Sequence, residues 1–136
     1  MPRGDEQTIE KILRYDTWAV VGLTNNPDRA AYRVGAFLQE HGKRIVPINP
    51  RGEAVHGAPA YRSLAEIPFG VDVVDIFRRS SQAGAHVDEA IGAGAAAVWL
   101  QLGVIDDAAA DRAAAAGLDV VMDRCPAIEW AAHGPA

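Results

Sequence analysis

Six arginines stand just beyond short apolar runs of the chain: Arg29, Arg33, Arg51, Arg78, Arg79 and Arg124. A guanidinium fork meets the oxygens of a phosphate two at a time, so arginines gathered at strand ends suit a phosphate-bearing ligand. The first run leads into Gly22-Leu23-Thr24-Asn25-Asn26-Pro27-Asp28-Arg29. Gly22 gives the freedom a tight turn needs, and the following residues offer a hydroxyl and two amides. The helix expected next would present unsatisfied N–H groups, a ready site for phosphate. Any single arginine could instead be solvated or paired with Asp28, Glu53 or Asp123, at little gain in stability. Their joint position favours the ligand.

The remaining turns narrow the kind of nucleotide. The dinucleotide fingerprint G-x-G-x-x-G is absent, since no second or third glycine follows Gly22 at its spacing. The second run ends Ile48-Asn49-Pro50-Arg51, with no Asp or Glu to accept from a ribose 2′-hydroxyl. NAD is therefore disfavoured, whereas Arg51 suits a phosphate carried on a ribose. The third run ends Asp75-Ile76-Phe77-Arg78-Arg79, the fourth Trp99-Leu100-Gln101-Leu102-Gly103, and the fifth Met122-Asp123-Arg124-Cys125-Pro126. Cys125 is the only cysteine and forms no internal disulfide. Arg124 beside it would favour the thiolate, while a small buried side chain is the competing reading. His41, His56, His86 and His133 are scattered without metal-ligand spacing, although His41 falls on the apolar face of a helix. Asp72, Asp75, Asp88 and Glu89 form no acid–base pair and are read as capping or solvated groups.

These turns need a frame, and the pattern supplies one. Five short apolar runs, Trp18 to Val21, Arg44 to Ile48, Val71 to Phe77, Ala97 to Leu100 and Leu118 to Met122, are nearly continuous rather than alternating. That is the signature of strands in a parallel sheet covered on both faces. Ala30, Ala31, Val34, Phe37, Leu38 and His41 recur at helical spacing before Gly42. Ser80 or Ser81 can cap a helix that buries Val87, Ala90 and Ile91 before Gly92 and Gly94. Asp106 or Asp107 can start the alanine-rich helix Ala108 to Ala116, closed by Gly117. Ile9, Ile12 and Leu13 mark an N-terminal helix. The stretch from Asn49 to Pro68 reads as an irregular connection with one helical turn near Ser63 to Glu66. Strand alternating with helix predicts right-handed crossovers and a three-layer, doubly wound α/β domain with a mainly parallel five-stranded sheet.

Bulk properties set the outer limits. A chain of 136 residues has the size of one domain, and 49% hydrophobic with 23% charged residues excludes a disordered or fibrous class. A formal charge of −5 argues against a protein that binds nucleic acid by counterion release. With no signal-like N-terminus and no run of eighteen apolar residues, a membrane partner is not expected. Cysteine usage fits a reducing, cytoplasmic location. A homodimer is compatible with the small size, and no residue demonstrates one.

Six segments together resemble one family. They are Val20-Val21-Gly22-Leu23-Thr24, Tyr32-Arg33-Val34, Val46-Pro47-Ile48-Asn49-Pro50, Val73-Val74-Asp75-Ile76-Phe77-Arg78, Trp99-Leu100-Gln101-Leu102-Gly103 and Val121-Met122-Asp123-Arg124-Cys125. In this order they resemble the small stand-alone coenzyme A (CoA)-binding proteins, similar to the N-terminal domain of the succinyl-CoA synthetase α subunit. The resemblance runs from about residue 8 to 130. It implies a Rossmann-like domain that binds CoA or an acyl-CoA. Gly22, Leu23, Thr24 and Asn25 would form a phosphate-binding turn, and Asn49, Pro50 and Arg51 would flank the adenosine and its 3′-phosphate. Phe77, Arg78 and Arg79 would wall the nucleotide, with Gln101, Leu102 and Gly103 toward the pantetheine. Arg29 and Arg33 belong to the same phosphate-binding edge.

The function expected from this is a small-molecule binding protein without catalysis of its own. An NADP-dependent reductase is the enzyme rival, weakened by the missing glycine fingerprint and the lack of a Tyr-x-x-x-Lys pattern. A regulatory protein is the other rival, either with a vestigial pocket or with a Cys125–CoA mixed disulfide that responds to redox state.

Overall fold

The computed structural model describes residues 4–135. Their five apolar runs pair into one sheet: β1 (Thr17–Val21), β2 (Arg44–Ile48), β3 (Val73–Ile76), β4 (Ala97–Leu100) and β5 (Asp119–Met122). The spatial order is β2-β1-β3-β4-β5 and every pairing is parallel. Five helices connect or flank them: α1 (Glu6–Leu13), α2 (Ala30–Glu40), α3 (Ser80–Gly92), α4 (Asp107–Ala115) and α5 (Pro126–His133). A single 3-10 turn at Leu64–Glu66 interrupts the long connection after β2, where the helical turn was expected.

The continuous apolar character of the strands follows from two covered faces. Trp18, Val20, Val73, Trp99 and Val121 pack in one core with α1 and α2, against which α5 lays Ala127 and Trp130. Ala19, Val21, Val74, Ile76, Val98 and Leu100 pack in the other with α3 and α4. Successive strand residues therefore enter opposite cores. Trp18 and Trp99 meet at 5.9 Å between ring centroids at the heart of the first core. Each such aromatic removes well over 100 Å² from water, contributing on the order of 2–3 kcal/mol to folding. The alanine-rich helix α4 is an ordinary packed helix: Ala109, Ala110 and Ala113 are buried, and their small side chains let it lie close to the sheet and α3.

Several local expectations need correction. β3 is shorter than Val71 to Phe77, although Phe77 N still donates to Val21 O at 3.0 Å. Helix α3 does end as expected, with Gly92 its last residue and Gly94, at a φ of +75°, providing the left-handed step. Ile91 is only partly buried against its core. Neither Ser80 nor Ser81 caps α3, because Arg79 occupies the N-cap and gives no side-chain bond. His41 lies at the exposed end of α2, stacked on Phe37 at 4.0 Å instead of entering the core. Helix α5 was not anticipated; Pro126 at its first turn is the residue that starts it.

Candidate functional site

The strand order creates the site. Chain flow from β1 leads to α2 on one face, and from β3 to α3 on the other, so the connections diverge between β1 and β3. A crevice at such a switch point, beyond the carboxyl ends of the strands, is where doubly wound sheets take ligands. At its floor Gly22 N donates to Ile48 O at 2.9 Å, and its φ is +93°. A Cβ on Gly22 would lie 2.7 Å from the Phe77 carbonyl oxygen, so only glycine lets β1 turn this close to β3.

Two helix N-termini open onto the crevice, and both lack caps. At α2 the N-cap is Arg29, and at α3 it is Arg79; neither makes a capping bond, and neither helix has an acid in its first turn. By contrast, Asp5 caps α1 through Thr8 N, and Asp106 caps α4 through Ala109 N. A cation at the positive end of a helix dipole is unfavourable by about 0.3–1 kcal/mol, and a missing cap costs about as much again. A polyanion seated there would satisfy the free N–H groups and both guanidinium groups together. Ser80 is used elsewhere: its Oγ accepts from Ile105 N at 2.9 Å and donates to Gly103 O at 3.3 Å, holding the loop after β4 against α3.

Beside the crevice lies an open cavity of about 340 Å³, lined by Thr24, Asn25, Asn26, Asn49, Pro50, Arg51 and Glu53. Its shape depends on Asn49, which is buried at the end of β2. The Asn49 amide donates to Leu23 O at 3.0 Å and Glu53 O at 2.9 Å, and its oxygen accepts from Glu53 N at 2.8 Å. Asn49 is thus a clamp between the β1 and β2 turns, with every polar atom engaged. Asn25 does similar work by donating to Ala54 O at 2.9 Å. His56, at φ +53°, bonds Tyr32 O at 2.8 Å, and Gln39 donates to His56 O at 3.0 Å, pinning the 52–58 segment onto α2. Arg51 extends from this frame exposed, and Glu53 is the one carboxylate among the lining residues.

The arginines stay available. Arg29, Arg51 and Arg79 have no ion pair or side-chain hydrogen bond among the described residues. Arg33 donates to Pro27 O at 3.4 Å, and Arg78 donates to the Gln82 side chain. None is paired with Asp28, Glu53 or Asp123, the partners considered from sequence. Arg124 alone pairs, with Glu129 at 3.5 Å. Asp123 instead accepts from Gly103 N at 2.7 Å, fixing the turn after β4 to that after β5. Leu23 is fully buried and can offer a ligand only its backbone. Phe77 is half-buried at the crevice, Leu102 is 53% exposed, and Gln101 is 5% exposed with its Oε1 unpartnered. Cys125 is 7% exposed as the N-cap of α5. With adjacent strands about 4.8 Å apart, β2 and β4 stand roughly 14 Å apart along this edge. The expected residues therefore form a line suited to an elongated ligand rather than a single compact pocket.

One group here escaped the sequence reading. Asp75 is fully buried in β3, and both its carboxylate oxygens lack hydrogen-bond partners. Burial pushes its carboxyl well above the ordinary value of 3.8, toward the neutral form. It is neither a cap nor a solvated charge. The signal was its place inside an otherwise apolar run from Val73 to Phe77.

Comparison with known proteins decides the family. The model of the CoA binding domain matches residues 16–131. The chain belongs to this CoA-binding domain family. A Bacillus subtilis protein, the uncharacterized YneT, is 35% identical over 126 residues, covering 92% of this chain and 93% of its own. The α subunit of an ADP-forming acetate–CoA ligase II from Pyrococcus furiosus is 42% identical over 59 residues, 43% of this chain but only 13% of that subunit. Among solved structures, a hypothetical protein from Pyrococcus horikoshii has a TM-score of 0.90 at 36% identity, covering 96% of this chain and 92% of its own. A dinucleotide-forming acetyl-CoA synthetase from Candidatus Korarchaeum cryptofilum superposes with a TM-score of 0.72 at 22% identity, over 82% of this chain and 27% of its own. That likeness concerns the fold: the Rossmann-like CoA-binding domain shares its five-stranded parallel architecture with a portion of a much larger chain.

Proposed function

We propose that this CoA-binding domain holds CoA or an acyl-CoA along the carboxyl edge of its sheet, acting as a binding module without catalysis of its own. The observation that carries the reading is the pair of uncapped helix N-termini, α2 and α3, each with an arginine at the N-cap and facing the β1/β3 switch point. A pyrophosphate supplies the negative charge both ends lack. The cavity beside Asn49 takes the adenosine, with the exposed Arg51 reading a phosphate on its ribose. From there the pantetheine arm follows the edge across β3 to Gln101, Leu102 and Gly103. The side chains gathered along this edge are chiefly cations and amides, which hold phosphate and amide groups.

Isothermal titration tests the reading. CoA is expected to bind at least tenfold more tightly than dephospho-CoA, as loss of a charge-assisted phosphate contact would produce. Equal affinity for the two would remove Arg51 from phosphate recognition, and no binding of either would remove the reading as a whole. NADPH serves as the competing ligand and is expected to bind more weakly than CoA.

A further inference from the structure

Asp75 and Gln101 carry an unmet demand that the binding reading does not use. The Asp75 carboxyl is wholly buried with neither oxygen partnered, and Gln101 Oε1 is a buried acceptor without a donor. Only the oxygen of the Gln101 amide is in this condition; its nitrogen is not a buried orphan. Asp75 lies in β3, and Gln101 directly follows the adjacent strand β4. Asp75 is in register with Trp99, and Gln101 follows two positions on, its N–H donating to Ile76 O at 3.3 Å. By strand alternation both lie on the sheet face that carries Val73 and Trp99. Such diagonal neighbours are roughly 7–8 Å apart at the backbone, within reach of an aspartate and a long glutamine.

The chemistry of the two groups is complementary. A carboxylate offers only acceptors and would leave Gln101 Oε1 without a donor. A protonated carboxyl has one O–H that must find an acceptor in a closed interior. Burial without a cation favours that protonated form. The remaining buried orphan, Arg124 Nε, follows β5, beside β4 but two strands from Asp75, and its guanidinium is drawn to Glu129 through Nη1.

We propose that Asp75 is a positioning residue that donates its carboxyl O–H to Gln101 Oε1, fixing the Gln101 amide with its NH2 group turned toward the ligand edge. Gln101 then presents a donor to a carbonyl on the pantetheine arm of CoA. This assignment rests on the CoA reading above and adds to it a residue that never touches the ligand. It explains why a sheet interior retains a carboxyl where valine or isoleucine would otherwise serve: an unpaired buried acid is costly, and here its proton sets the orientation of an amide.

Two ligands and three variants test it. Adenosine 3′,5′-bisphosphate carries the 3′-phosphate but no pantetheine arm. Asp75→Leu and Gln101→Leu are each expected to weaken CoA about tenfold, the size of one buried hydrogen bond, and to leave the bisphosphate within twofold. Asp75→Asn keeps a donor and is expected to recover most of the CoA affinity lost in Asp75→Leu. A loss in Asp75→Asn as large as in Asp75→Leu would overturn the proposal, since it would mean that the negative charge matters. So would equal weakening of both ligands, the mark of a purely structural role. Infrared spectra of the ligand-free protein provide an arm independent of CoA. A protonated-carboxyl band is expected at neutral pH, absent in Asp75→Asn and shifted in Gln101→Leu. An absent band, or one that Gln101→Leu does not move, also overturns the assignment. If the wild type binds neither nucleotide, the CoA reading fails while the infrared arm still decides the Asp75–Gln101 bond.

Discussion

The carbonyl oxygen of Phe77 lies 2.7 Å from where a Cβ on Gly22 would stand, and Gly22 holds a φ of +93°. The turn after β1 and the end of β3 are thereby fixed against each other, and they bound the crevice between α2 and α3. Gly22→Ala must either push Phe77 away or unwind the turn, because the obstruction is backbone and not a flexible side chain. A destabilisation of about 1–3 kcal/mol is expected, read as a lower denaturant midpoint. CoA affinity should fall with it. A variant with unchanged midpoint and affinity would show that the approach is not confining.

Arg29 and Arg79 set stability against binding. Replacing either with Asp at the N-cap supplies the missing cap and an anion at the positive helix end. The ligand-free protein should gain about 1 kcal/mol, seen as a raised melting temperature. The same change places a negative charge where the pyrophosphate would sit, so CoA affinity should fall more than tenfold. Variants that gain stability and keep their affinity would show that these helix ends are not the phosphate site.

The frame was legible because it depends on local pattern. Parallel strands such as Val73–Ile76 and Ala97–Leu100 are buried on both faces and read as apolar runs, while glycines such as Gly42 and Gly94 mark helix ends. The line of arginines was legible for a related reason: in this architecture the residues after every strand share one edge. What depends on distant partners was not legible. Asn49 lines the cavity, but its second task was hidden: its amide bonds Leu23, 26 positions away, as well as nearby Glu53. Ser80 or Ser81 was expected to cap α3; neither does, and Ser80 instead ties Gly103 and Ile105. Asp75 was grouped with surface acids because sequence charge says nothing about which face of a covered sheet a carboxyl enters.

That burial has a pH consequence. The Asp75 carboxyl is raised above 3.8 by desolvation, so the folded chain holds this proton more tightly than the unfolded chain. Where the unfolded state has already lost the proton and the folded state retains it, stability must fall as pH rises. The decline begins near the ordinary carboxylate value and levels off once the folded carboxyl itself ionises. Asp75→Asn removes this component. Urea midpoints measured from pH 4 upward should therefore diverge, with the variant gaining on the wild type as pH rises. Parallel curves would show that Asp75 does not keep its proton on folding.

Cys125 is buried at the N-cap of α5, with Arg124 drawn to Glu129. Thiol chemistry requires an accessible thiolate, so the native protein should react with an aromatic disulfide reagent far more slowly than the urea-unfolded chain. Mass spectrometry after treatment with diamide and CoA should show little adduct on this residue. Rapid native labelling, or a reductant-reversible gain of one CoA, would instead establish the redox-responsive mixed disulfide as part of the function.

Arg51 offers the sharpest test of ligand identity, because it projects from a frame held by other residues. Asn49 and Asn25 fix the neighbouring turns through bonds to Leu23, Glu53 and Ala54, and none of these bonds involves the Arg51 side chain. Arg51→Ala should therefore leave the unfolding midpoint within about 0.5 kcal/mol of wild type, as for other exposed substitutions. Its effect belongs to the ribose phosphate. CoA affinity should drop about tenfold while dephospho-CoA affinity stays level, and the loss should shrink as salt screens the exposed contact. If both ligands weaken together, Arg51 acts on the pyrophosphate or adenosine. If neither changes, the 3′-phosphate lies elsewhere along the edge, with Arg78 and Arg79 on the opposite wall the next side chains to substitute.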